Sequence, residues 1–228
     1  HSALVIPNGV DEKTHTQDPA HSRRIRDTYG QCVLVHAGRL EWEKGTHTLI
    51  DALPQIRRSF PHVQCVIAGR GSQEEHIREQ ARRKRVARRV HVRGWLPADD
   101  VRTLVAAADV MVIPSLYQPI GMVALEAASV GTPVVAAKSG GLNEFLDNEQ
   151  HGFGFTPGNP KSLADAVTTC LHDPPEAERR AQRAREFVTQ HHDWTAIADR
   201  LVAVYDATRQ RPDRKSTRLN SSHQIISY

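Results

Sequence analysis

Short runs of aliphatic and β-branched residues alternate along the chain with longer stretches whose apolar positions recur at helical spacing. The apolar runs are Cys32 to Ala37, Val63 to Ala68, Val90 to Val92, Val110 to Ile113 and Pro133 to Ala136. Four of these five are nearly continuous rather than alternating, which suits strands covered by helices on both faces. Helical periodicity fills the gaps at about Thr46 to Ser59, Gln73 to Arg83, Ala98 to Ala107 and Gly121 to Val130. After one more short run, Gly152 to Phe155, the pattern is wholly helical: Pro160 to Leu171, Pro175 to Thr189 and Asp193 to Thr208. Repeated strand, helix, strand units with right-handed crossovers predict an α/β protein with a doubly wound parallel sheet and a set of C-terminal helices.

Open parallel sheets bind ligands beyond the carboxyl ends of their strands, so the segments just after each apolar run carry the chemistry. They read GRLEWEKG (38–45), GRG (69–71), GW (94–95), PSLYQPIG (114–121) and KSGG (138–141). Five glycine-bearing loops on one rim predict a place where backbone approaches a ligand closely. Arg39 and Lys44 in the first loop offer a guanidinium fork and a compact ammonium to the oxygens of a diphosphate; the alternative is that they pair with Glu41 and Glu43. The N–H groups of Gly121, Met122 and Val123, opening a helix, favour the same anion. Glu126 is the one formal charge in Ser115 to Ala137. A carboxylate there is costly to desolvate unless a cation or a donor-bearing ligand meets it. Lying about 7.5 Å along the helix from Gly121, it suits the two vicinal hydroxyls of a ribose; the alternative is an ion pair with an arginine from elsewhere. Gln118, eight residues earlier, would face whatever lies beyond the phosphates, or else form a simple loop hydrogen bond. Base contacts are expected from the loops of Arg70 and Trp95.

Composition narrows the classes. With 228 residues, 39% hydrophobic and 25% charged, the chain is long enough to bury a core and has ordinary globular make-up. No apolar run approaches the roughly 20 residues that span a bilayer. The start, HSALVIPNGVD, has neither an initiating Met nor the order of a signal peptide. These features set the expectation of a cytoplasmic protein and of a piece of a longer chain; peripheral membrane contact stays compatible with them. Asp213 to Tyr228 has no apolar periodicity, and Asp213 to His223 reads as the in-frame translation of a short-read sequencing adapter. Without Asp213, Arg214, Lys215 and Arg218 the formal charge falls from +4 to +2, too slight to imply nucleic acid. RRKRVARR (82–89) lacks interleaved aromatics and reads as a solvated helix end. Cys32, Cys65 and Cys170 read as reduced core residues. The histidines show no metal-ligand spacing; His191, His192 and Asp193 suit a helix cap, and only His36 is kept as a rim candidate. GRLEWEKG lacks the G-x-G-x-x-G of a dinucleotide-dependent oxidoreductase, and no G-x-S-x-G supports a hydrolase.

The order VIPNGVD, HAGRLEWEKG, VIAGRG, VRGWLP, PSLYQPIGMVALEAASVGTPVVA and SGGLNE resembles the carboxyl-terminal half of a family 4 glycosyltransferase of the GT-B fold. The resemblance spans about residues 4 to 208. It implies a Rossmann-like nucleotide-sugar-binding domain at 1–172 and helices at 173–210 that return toward a preceding domain. Residues 211–228 form a tail. It also implies transfer of a sugar from a nucleoside-diphosphate sugar with retention of configuration, no cofactor and no obligatory metal, and an acceptor site supplied by the preceding domain. The chain alone would then hold donor without turning it over. By the same resemblance Arg39 and Lys44 hold the diphosphate, the Gly121 to Val123 backbone lies near phosphate and sugar, and Glu126 binds the ribose. The wording YQPIGMVALE leans toward the glycogen-synthase-like and sucrose-phosphate-synthase-like members. One departure stands out: the family's paired glutamates, eight positions apart, have Gln118 as the first member. An amide carries no negative charge for a developing oxocarbenium ion, which leaves a non-catalytic sugar-nucleotide-binding domain as the other reading.

Overall fold

The computed structural model describes residues 6–10, 19–119, 121–147 and 150–209. The tail at 211–228, its adapter-like portion included, and the segments 1–5 and 11–18 lie outside them. Six parallel strands form one sheet: β1 (Val33–Ala37), β2 (Gln64–Ala68), β3 (Val90–Gly94), β4 (Val110–Ile113), β5 (Val134–Ala137) and β6 (Phe153–Phe155). Their spatial order is β3-β2-β1-β4-β5-β6. The chain therefore builds outward from β1 through β2 to β3, then crosses back so that β4 pairs on the other side of β1, with Leu34 opposite Val110 and Val35 opposite Met111. The reversal of strand order makes a crevice at the carboxyl ends of β1 and β4, where doubly wound sheets hold ligands.

Alternating side chains of each strand feed two cores. Leu34, Cys65, Ile67, Val110, Val112 and Val135 face one layer, packed under α2 (Thr46–Ser59), α3 (Glu74–Arg83) and α7 (Pro160–His172). Val33, Val35, Val66, Met111, Val134 and Ala136 face the other, under α1 (Pro19–Tyr29), α4 (Ala98–Ala106), α5 (Met122–Ser129), α6 (Gly141–Leu146) and α8 (Pro174–His191). Both faces of β1, β2, β4 and β5 are buried, the physical reason for their near-continuous apolar runs, whereas the edge strand β3 is half-buried and carries an exposed Arg93. The helices start where capping predicts: Asn159 accepts from the Ser162 N–H and Asp173 from the Glu176 N–H, each with proline in the first turn. Asp193 Oδ2 likewise accepts from the Ala196 N–H at 3.0 Å and caps α9 (Trp194–Arg209), as its sequence position suggests.

Val10 N–H donates to the His192 carbonyl at 2.8 Å, and His192 Nδ1 lies 2.8 Å from the Asn8 carbonyl oxygen. The first described segment is thus tied to the junction of α8 and α9. Along α9, Trp194, Leu201, Val202 and Tyr205 are exposed. The basic run leaves α3 at the surface, with Lys84 paired to Asp51 at 2.8 Å and Arg82 to Glu75 at 3.5 Å. Cys65 and Cys170 are buried and Cys32 half-buried, none of them in a disulfide; burial pushes their thiols up to about 12, about 12 and about 11. Among the described residues no helix is long and apolar enough to cross a membrane.

Candidate functional site

The loops after β1 and β4 clasp one another across the crevice. The Leu116 N–H donates to the Glu43 carbonyl at 2.8 Å, and Gly45 lies so close to the Pro114 carbonyl that a side chain there would overlap it. The same closeness recurs around the rim: Gly69 sits on the Gly38 carbonyl, and Gly140 on the Gln118 carbonyl, which also accepts from the Gly141 N–H at 2.9 Å. The glycine pattern predicts backbone approaching a ligand. At Gly45, Gly69 and Gly140 the close partner is instead another rim loop, because neighbouring parallel strands of similar length bring their carboxyl-end loops together on one rim. Gly38 alone of the first loop's glycines has open space above it.

Within this frame the Lys44 ammonium donates to Gln118 Oε1 at 2.7 Å. The pair spans the topological reversal, one partner from each side. Burial lowers the affinity of Lys44 for its proton, with the nearby Arg39 charge acting in the same direction and Glu43 against it. Arg39 is exposed and pairs with Glu43 at 3.4 Å, while Glu41 accepts from the Ser72 N–H and hydroxyl instead. Of the alternative pairings with Glu41 and Glu43, only the Arg39–Glu43 contact forms among the described residues; Lys44 turns inward to Gln118.

Beside the clasp lies a cavity of about 290 Å³. Ala37, Ala68, Val105 and Ala127 are among its apolar residues, with Trp95, Leu96, Val101 and Val123; the charged lining is Arg39, Arg70, Arg102 and Glu126. Trp95 is 67% exposed, a large ring left open to solvent at the cavity edge. Glu126 is the exposed position of α5 between buried Leu125 and buried Ala127, so the lone charge of that apolar stretch opens into the cavity. Its carboxyl is pushed above the ordinary range by burial, and Arg102 pulls it back. The carboxylate makes no hydrogen bond or ion pair with any described residue. A partly shielded acid with two open acceptor oxygens, in a cavity that also has apolar walls and three guanidinium groups, suits a ligand that combines an apolar face, hydroxyls and an anionic group.

Five of the sequence-chosen residues, Arg39, Arg70, Trp95, Val123 and Glu126, therefore share one cavity. Lys44 and Gln118 form the adjoining pair. Gly121 precedes α5, whose N-terminus has no side-chain cap, and lines a second cavity with Asn8, Pro119 and Glu144 on the other flank. Met122 is half-buried and packs into the core. The wall residues Leu96, Val101 and Arg102 stand out in no sequence pattern. Nothing along α4 marks Arg102, since which side of α4 meets α5 is a tertiary fact.

His36, a rim candidate by sequence, is instead a buried strut beneath the rim. Its Nδ1 lies 3.1 Å from the Val112 carbonyl and its Nε2 3.0 Å from Thr46 Oγ1, which uses both ring nitrogens. A neutral ring donates to the carbonyl and accepts from the hydroxyl. Burial, with the Lys44 charge adding to it, lowers its pKa from 6.5 to about 4. Between those values the unfolded chain binds a proton that the folded one refuses. The stability due to the neutral ring is complete above about pH 6.5 and drains away as pH falls toward about 4, about 2 kcal/mol of it by pH 5. Histidine ring NMR should show His36 untitrated from pH 8 to pH 5; a midpoint above 6 would refute the strut.

The family described as "Glycosyl transferases group 1" matches residues 20–187. A glycogen synthase of Mycobacterium tuberculosis is 41% identical over 215 residues, covering 94% of this chain and 51% of the relative. An uncharacterized glycosyltransferase of Methanocaldococcus jannaschii is 36% identical over 173 residues, covering 76% of this chain and 44% of the relative. Among solved structures, Anabaena HepE in complex with UDP-glucose superposes with a TM-score of 0.83 at 31% identity, covering 90% of this chain and 57% of that one. The sucrose-phosphate synthase of Thermosynechococcus elongatus gives 0.81 at 28%, with 90% and 52% covered. The chain spans about half the length of these relatives.

Proposed function

We propose, from the premise that this chain belongs to the glycosyl transferases group 1 family, that it is the donor-binding half of a retaining, family 4 glycosyltransferase. The complete protein would move a hexosyl group from a nucleoside-diphosphate sugar to a sugar or glycan acceptor. The observation that carries this reading is the cavity at the strand-order reversal, which brings together apolar walls, the Glu126 carboxylate and three arginines beside the Lys44–Gln118 pair.

The base enters between Trp95, Leu96 and Val101, and the ribose hydroxyls donate to Glu126. The diphosphate lies against Arg39, Lys44 and the uncapped N-terminus of α5 at Gly121, Met122 and Val123. In this reading Arg39 and Lys44, rather than a metal, take up the charge that develops on the departing diphosphate, the usual way a preorganised cation speeds such a step. Gln118, positioned by Lys44, faces the sugar. A glucosyl donor is favoured by the UDP-glucose bound in HepE and by the glycogen synthase likeness. The acceptor would come from the rest of the longer protein, toward which the exposed apolar residues of α9 would turn. Gln118 favours one second reading, a nucleotide-sugar-binding domain without turnover, since its amide cannot stabilise positive charge as a carboxylate would.

Calorimetric titration of the chain with UDP, ADP and GDP in the presence of a chelator tests the assignment. One of them should bind preferentially. Arg39→Ala and Lys44→Ala should each weaken that diphosphate by about 1 to 3 kcal/mol, the size of a charge-assisted hydrogen bond, and leave the nucleoside nearly unaffected. Equal losses for nucleoside and diphosphate would remove the phosphate roles.

A further inference from the structure

We infer that Arg102 is the counter-ion that keeps Glu126 ionised, and hence a positioning residue for the ribose; the inference rests on the proposed ribose-binding role of Glu126. Both side chains line the same cavity, Arg102 from α4 and Glu126 from α5, and these helices pack on one another beneath the rim. Arg102 is anchored from outside by Asp99, one helical turn earlier, at 3.1 Å. Asp99 is almost wholly exposed, so its pairing leaves Arg102 within the cavity lining that it shares with Glu126.

The remaining charged groups do not supply the same field. Arg39 and Arg70 line the cavity from the loops after β1 and β2, but Arg39 is committed to Glu43, and Arg70 sits by Gly94 at the cavity edge. On the other flank of α5, Arg180 of α8 engages Glu176 and the Gly152 carbonyl, Arg183 reaches Glu176 and the Gln150 carbonyl, and Glu144 of α6 lines the second cavity. The paired strands β4 and β5 carry no charge. Among the described residues, Arg102 is the charged group whose field opposes the burial of Glu126.

The chemistry requires this. Two ribose hydroxyls donate to one acid only while both of its oxygens are acceptors; protonation turns one of them into a competing donor. Burial alone favours that protonation. A cation within the same walls opposes it without itself occupying the ribose position. Arg102 favours the ionised acid, and Asp99 holds Arg102.

The test separates the counter-ion from the ribose. The carboxyl carbon of Glu126 is titrated by NMR in the ligand-free protein, wild type against Arg102→Gln and Arg102→Lys. In parallel, the preferred nucleoside diphosphate is compared with its 2′,3′-dideoxy analogue at pH 8 and pH 5.5, a ratio from which the titration of the phosphates cancels. The expected result is a Glu126 midpoint that rises in Arg102→Gln and returns in Arg102→Lys. The ribose-dependent ratio should fall several-fold at pH 5.5 in Arg102→Gln, because more of the acid is then protonated, and hold at pH 8. A Glu126 midpoint unmoved in Arg102→Gln overturns the counter-ion. A midpoint that moves while wild type does not discriminate the dideoxy analogue keeps the counter-ion and overturns the ribose reading.

Discussion

Replacing Gly45 by alanine is expected to destabilise the protein by about 3 to 5 kcal/mol, against about 1 kcal/mol for the same change at Gly131. Both glycines have left-handed backbone, φ 66° and φ 76°, so both variants strain a side chain into a region that suits glycine. They differ in what a Cβ would meet. At Gly131 nothing lies within 4 Å; at Gly45 the atom lands on the Pro114 carbonyl, which is backbone and cannot rotate aside. Relief requires the loops after β1 and β4 to part, and parting them breaks the Leu116–Glu43 hydrogen bond and pulls Lys44 from Gln118. Urea unfolding of the two variants isolates the contact. Equal losses would mean that the clasp is loose enough to absorb a methyl group. If Gly45→Ala alone also lost nucleotide affinity, the clasp would be shown to set the site as well as the fold.

That clasp marks the boundary of what is legible in the sequence. The strands can be read because burial on both faces leaves a continuous apolar run, and α2 is bounded at Thr46–Ser59 because Leu49, Ile50, Leu53 and Ile56 repeat at helical spacing even through Pro54. The helix α1 escapes such a reading: among its described side chains PAHSRRIRDTY offers Ile25 and Tyr29, one turn apart, to the core. The short α6 has no room for a period. In the site, Glu126 can be singled out because a lone charge in an apolar helix needs a reason that local structure does not supply. The Lys44–Gln118 hydrogen bond joins residues 74 positions apart, and Arg102 reaches the cavity only through the way α4 lies on α5; both depend on packing that a pattern along one chain does not encode. His36 misleads for the same reason. A histidine at a strand end next to a rim loop looks available until the carbonyl of β4 and the hydroxyl of α2 are seen to hold it.

Glu126→Gln should weaken the preferred nucleoside diphosphate and its nucleoside alike, by about 2 to 4 kcal/mol, because two charge-assisted hydrogen bonds become neutral ones and one acceptor oxygen becomes a donor. Folding should respond in the opposite sense. The carboxylate sits above its ordinary range because burial disfavours the charge, so in the empty protein its ionisation opposes folding and the loss grows as pH rises through the folded-state value. An amide of the same shape removes that penalty. The variant should therefore unfold at an equal or slightly higher urea concentration at pH 8 than the wild type, with the difference vanishing at acid pH where both are neutral. Such a split, weaker binding with undiminished stability, is what a residue retained for a ligand produces, and a structural ion pair does not. Were Glu126 there to pair with Arg102 for the sake of the fold, the amide would lower stability and leave nucleotide affinity alone. Measuring both quantities on one variant decides between them, and the answer is also the answer to why an apolar helix at the heart of this sheet carries a single acid.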